Sequence, residues 1–98
     1  MKISIREKAT DFAEDKDIAA RIREKYIRPR VVKNKTVTID FTGVSLTTQS
    51  FIHALISDIL RTNGEKVLDT IIFKGCNKGV SGLITTVVQY SLETMDDV

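Results

Sequence analysis

The sequence predicts an α/β fold: a small, mostly parallel sheet with helices mainly on one face, packed as a two-layer sandwich. Segments with a period of two alternate along the chain with segments of helical period, in the order strand, helix, strand, helix, strand, helix. That order marks strands joined by crossover helices. The first two strand-like segments are apolar on one side only, whereas a sheet covered on both faces reads as continuous apolar runs. A chain of 98 residues also has room for one core, so residues 1–98 are expected to form a single domain.

In the first segment Ile3 and Ile5 alternate with Lys2, Ser4 and Arg6, which suits a half-buried strand. After a polar stretch, Asp15 or Asp17 can cap a helix that places Ile18, Ala19, Ile22 and Tyr26 on one face. Pro29 lacks an amide hydrogen and disfavours helical geometry at Arg28, so this helix is expected to stop near Ile27. Residues 36–41 form the clearest strand, with Val37, Ile39 and Phe41 on one side and Thr36, Thr38 and Asp40 on the other.

A short loop, 42–46, leads to a second helix that Thr47 or Thr48 can cap, with Phe51, Ile52, Leu55, Ile56 and Ile59 as its apolar stripe. Asn63 and Gly64 supply a left-handed stop. Residues 67–73 read as a third strand, more apolar and therefore more central. Beyond them Val80, Leu83, Ile84, Val87, Val88, Leu92 and Met95 recur at helical spacing. Asp96 and Asp97 oppose the helix dipole, so 93–98 are expected to fray.

Composition excludes several functions. Apolar residues make up 42% and charged residues 29%, the balance of a folded domain rather than a disordered one. The net charge of +2 is too small to announce a nucleic-acid or membrane partner. One cysteine cannot form an internal disulfide, and one His with one Cys cannot assemble a zinc site, so no metal or cofactor is expected. No apolar run approaches the roughly 18 residues of a membrane span, and the first residues lack the apolar stretch of a signal peptide. A reduced, cytoplasmic protein is expected. Asp40, Asp58 and Asp69 have no spacing that predicts a carboxylate pair, and no nucleophile with its base is legible. The sequence does not predict an enzyme.

The run from Val37 to Ile52 carries a resemblance. A strand ending in Asp40-Phe41, a Gly43-Val44 turn and a hydroxyl-rich helix start leading to Ser50-Phe51 resemble the STAS-like domains. These are a bacterial family of largely unknown function, similar in pattern to the anti-sigma-factor antagonists, and the resemblance extends more weakly over 36–92. In the antagonists a Ser or Thr at this helix start is phosphorylated by a partner kinase of the histidine-kinase ATPase type. The resemblance therefore implies a protein partner, with Thr47, Thr48 and Ser50 as candidate phosphoacceptors or contacts. The antagonists' Asp-Ser-Ser-Gly signature is absent, the spacing from Val44 is one residue shorter, and Gln49 stands near the acceptor position.

Each candidate has a plainer reading. Thr47, Thr48 and Ser50 also suit a helix cap, worth about 1 kcal/mol. Gly75, Gly79 and Gly82 lie between a strand and a helix, where backbone amides can hold an anion with Asn77, Lys78 and Gly79. Their spacing matches neither the dinucleotide nor the Walker pattern, and the plainer reading is a turn with close helix packing. Arg23, Lys25, Arg28, Arg30, Lys33 and Lys35 make 1–35 net +5, eleven basic against six acidic residues. A solvated helix end explains that cluster, and only Tyr26 offers stacking, so nucleic-acid binding is a minority reading. His53 falls beside the apolar stripe, and nothing marks Cys76 as an activated thiol.

The expectation is a non-catalytic regulatory or interaction domain of the STAS-like type, binding a protein partner through 42–50. The alternative is a small-ligand or nucleotide-binding domain using the 75–82 loop. An unpaired strand edge or open sheet face also leads us to expect a homo-oligomer.

Overall fold

In the computed structural model, which describes residues 1–94, the elements follow in the order β1 (Lys2–Ser4), α1 (Ile5–Ala9), β2 (Phe12–Ala13), α2 (16–32), β3 (Val37–Asp40), β4 (Leu46–Thr47), α3 (49–63), β5 (Ile71–Lys74) and α4 (Lys78–Thr94). The alternation within β3 decides the layering. Val37, Ile39 and the following Phe41 are fully buried. β1 and β5 flank β3 and both run parallel to it, with Ile3 opposite Ile39 and Ile39 opposite Phe73. One face of this sheet therefore gathers Ile3, Val37, Ile39 and Ile71 into the core shared with Ile22, Leu55 and Val80 from the helices. The other face carries Lys2, Thr38 and Ile72 in one row and Ser4, Asp40 and Lys74 in the next. Ile72 is 48% exposed there, so the second face is open, as the one-sided patterning predicts. A separate parallel ribbon pairs β2 with β4, Phe12 opposite Leu46.

The helix caps follow the sequence. Asp15 accepts from the amides of Asp17 (2.9 Å) and Ile18 (3.4 Å) to start α2. Thr48 accepts from Phe51 N–H at 3.1 Å to start α3. Gly64 ends α3 with φ of +86° and ψ of 177°, a conformation open essentially to glycine alone. In α4, Thr85 and Thr86 are β-branched yet helical, with their hydroxyls donating to the carbonyls of Ser81 and Gly82. The expected fraying concerns 95–98, with Met95, and lies outside the described residues, while Glu93 and Thr94 are helical.

Four expectations need correction. Ile5 does not extend β1; Ser4 accepts from Glu7 N–H and turns the chain into α1. The polar stretch after it holds β2, whose two residues are too few to leave a periodic signal. Pro29 does not end its helix. Over Arg23–Ile27 the helix widens into a π-turn, in which Arg28 N–H reaches back five residues to the Arg23 carbonyl. Just past this wider turn α-helix resumes over Arg28–Val32, with Pro29 near its start. Finally, the third strand begins at Ile71 and lies at the sheet edge, not its centre. Residues Glu65–Asp69 instead form a 3₁₀ turn, closed by Thr70 Oγ1 donating to the Val67 carbonyl at 2.7 Å.

A second π-turn, His53–Ser57, interrupts α3 beside the first. Arg23 Nη1 donates to the Ala54 carbonyl inside it at 2.7 Å. Arg28, just past one π-turn, pairs with Asp58, just past the other, and with Glu24 at 2.9 Å.

Because only one sheet face is covered, Ile39→Ala should cost about 2–5 kcal/mol in denaturant unfolding. Ile72→Thr, on the open face of the edge strand, should stay within about 0.5 kcal/mol. Equal losses would show that both faces are packed.

Candidate functional site

Parallel strands all point the same way, so the loops that leave β1, β3 and β5 gather at one end of the sheet, where α/β folds place their sites. The first of these features is built by Asp40. Its Oδ1 accepts from Thr42 Oγ1 at 2.6 Å and from Thr42 N–H at 2.9 Å, closing a turn of the chain on its own carboxylate. The Thr42 hydroxyl and amide hold this carboxylate below the usual aspartate range, helped by Lys2, whose Nζ is 3.6 Å from Oδ2, and by Lys74. Asp40 is 7% exposed. With Lys2, Ser4, Arg6 and Thr42 it lines a polar cleft outside the strand ends.

Gly75 fits against this turn because nothing larger can. Its φ is +70°, and a Cβ would lie 2.2 Å from Thr42 Oγ1 and 2.7 Å from Thr42 N. Asn77 then joins the two loops that the sequence singles out. Its Nδ2 donates to the Ser45 carbonyl at 2.9 Å, while its Oδ1 accepts from Val80 N–H at 2.9 Å and caps α4. The segments 42–50 and 75–82, far apart in sequence, thus form one surface. Within it the Asn77 side chain is committed to the fold, and Lys78 and Gly79 are exposed. Cys76, beside them, is half-buried, and burial with the nearby Asp40 charge pushes its thiol pKa up.

The other candidates have distinct places. Thr47 Oγ1 donates to the Ala13 carbonyl at 2.8 Å, which ties β4 to β2. Thr48 is the α3 cap, and Ser50, in the first turn of α3, is exposed. Ser50 shares a shallow depression with Lys16, Gln49, His53 and Tyr90, the last 52% exposed. Patterning did not single out the outer side of the ribbon. There Phe12 and Leu46 stand opposite each other, 44% and 61% exposed, in an otherwise polar neighbourhood. A single aromatic between Asp11 and Glu14 was the signal available, and without β2 it had no neighbour to make it a patch.

Half of the basic cluster is consumed by the fold. Arg23 and Arg28 bridge the two π-turns, and Arg30 Nε donates to the Thr36 carbonyl at 2.8 Å. Tyr26 is covered by Lys8, with Nζ 4.4 Å from the ring centroid and 3.3 Å from the hydroxyl, and by Lys25 at 5.5 Å. The Lys8 hydrogen bond and both ammonium charges lower the tyrosine pKa. Among the described residues there is no group of three or more His, Cys, Asp or Glu that could hold a metal ion, and no helix is long and apolar enough to cross a membrane.

A family described as a STAS-like domain of unknown function matches residues 19–81, more than half of the chain. The matched span runs from within α2 to the first turn of α4, so it includes both loops of the surface but not Phe12. Neither a curated protein nor a solved structure matches.

Gly75→Ala should destabilise the fold by about 1–3 kcal/mol, since the new methyl meets a backbone amide. Gly82→Ala has open space within α4 and should stabilise by about 0.5–1 kcal/mol, read as paired thermal melts. Asp40 has a depressed pKa in the folded state, so its contribution is fully present at neutral pH. That contribution declines once pH falls below the ordinary aspartate value, about 3.9, and is gone below the folded value. The stability gap between the parent and Asp40→Asn should accordingly close in acid; a gap independent of pH would mean that the carboxylate charge is not what holds the turn.

Proposed function

Because the chain belongs to the family of STAS-like domains of unknown function, we propose that it is a non-catalytic regulatory or interaction domain of the bacterial cytoplasm, binding a protein partner through 42–50 and the ribbon beside it. The observation that carries this reading is the Phe12–Leu46 pair, two large apolar side chains left in water on a ribbon whose strand β4 runs directly into the α3 start. Exposed apolar patches of this kind serve as contact sites in soluble domains. The partner is an ATPase of the histidine-kinase type, and Ser50 is the hydroxyl best placed for a phosphate switch. It is exposed, whereas Thr47 and Thr48 spend their hydroxyls on Ala13 and on the cap. A phosphoryl group there would add about −1.5 to −2 charge at the positive end of a helix, near Lys16.

Affinity capture of the tagged domain from its host's lysate, read by mass spectrometry with the intact mass of the domain, tests the reading. A stoichiometric ATPase of that type is the expected result. Leu46→Asp should weaken its capture by about tenfold or more, the loss of one buried apolar contact, and Ser50→Asp should change the affinity while Thr86→Asp does not. Capture unaffected by Leu46→Asp would remove the ribbon from the interface. The rival, a nucleotide on the 75–82 loop, would show instead as a ligand-dependent rise in melting temperature.

A further inference from the structure

At the other end of β3 lies a second apolar feature. Val32, 67% exposed, ends α2. It stands at a depression floored by buried Val31 and Val67 and lined also by Asn34, Asn63 and Lys66. We propose that the chain associates head to tail with copies of itself, the Phe12–Leu46 knob of one copy seated in the Val32 depression of the next.

Charge favours a second copy as the occupant. Exposed Asp11, Glu14 and Asp15 flank Phe12 along the chain, with Lys16, and Arg6 in the cleft it shares with Asp11, as the cations there. Exposed Lys66 rims the depression and exposed Lys33 and Lys35 flank its Asn34 along the chain, against Asp69 in its lining and Glu65 beside Lys66. Apolar centres with rims of opposite sign are what a specific contact requires, and this chain carries both halves. It cannot join them within one molecule. Lys35 lies just before β3 and Leu46 follows the loop after it, so the knob and the depression sit toward opposite ends of the same strand. A knob-to-depression contact is therefore heterologous, and each added copy leaves one knob and one depression free. Two apolar side chains make a small interface, so the association is weak and belongs to high protein concentration. The inference stands independently of the ATPase partner, although a seated knob is no longer open to that partner.

Sedimentation equilibrium of the full chain, from micromolar to millimolar in low salt, tests it with two variants. One blocks the knob (Phe12→Ser with Leu46→Ser) and one the depression (Val32→Ser with Lys66→Glu), each first checked for its fold by circular dichroism. The parent should rise past twice its 11.0 kDa mass, and high salt should suppress the rise. Each variant alone should stay at 11.0 kDa. Mixed in equal amounts they should form a dimer and nothing larger, since one competent knob meets one competent depression. A parent that stays monomeric, or that stops at a dimer the variants still form, overturns the proposal, as does a mixture that remains monomeric. If the knob variant does not fold, the depression variant and the salt series decide by the same criteria. A captured ATPase without self-association removes this inference alone, and self-association without an ATPase removes the partner reading alone.

Discussion

The structure depends on one strand being buried on one side. β3 has neighbours along both edges, and its inward residues Val37, Ile39 and Phe41 are closed off from water entirely. A slip of one residue in either pairing would turn those side chains outward and bring Thr38 and Asp40 into the apolar layer. The helices hold that register by covering only the apolar side. The loops leaving β1, β3 and β5 then have no choice but to meet at one end, and the Asp40 turn, Gly75 and Asn77 lock them together there. The candidate surface is thus a by-product of strand polarity, with its shape set by two polar contacts and one close glycine fit.

Much of this was legible in the residues. The period of two in 36–41 marked a strand with one buried side, though not its central place, and the hydroxyls at Thr47 and Thr48 marked the start of α3. What escaped has physical causes. β2 and β4 are two residues each, shorter than any period can register. Pro29 carries a strong rule against helix continuation, and a π-turn five residues long evades that rule by geometry that no residue preference announces. The apolar 67–73 run mixes two structures, because Val67 and Leu68 pack from a 3₁₀ turn before β5 begins at Ile71. The candidate surface was half visible. Its hydroxyl-rich helix start stood out, but Phe12 joined it only through folding.

The glycine-rich segment shows how spacing can mislead. Gly75 is required by a positive φ and by the closeness of Thr42, Asn77 by its double role as cap and tether, and neither needs a ligand to explain it. The basic residues near the end of α2 tell a similar story. Arg23, Arg28 and Arg30 have their guanidinium groups directed at carbonyls and carboxylates of the chain itself, so a cluster that reads as a surface charge is in part internal scaffolding.

The paired π-turns bear on how such a domain can change length over generations. A π-turn is what a helix does with one residue more than its regular spiral can hold. Were one residue deleted within 24–27, α2 could run as regular helix, and the residues beyond would keep nearly the facing they have now, because the wide turn absorbs the extra residue instead of passing it along the axis. Val31 would stay turned to the core and Arg28 toward Asp58. A deletion of one residue elsewhere in the helix would instead swing everything after it by about 100°. The same holds for the second π-turn beside it, which makes these two adjoining turns the places where α2 and α3 can lose a residue while their far ends keep their contacts.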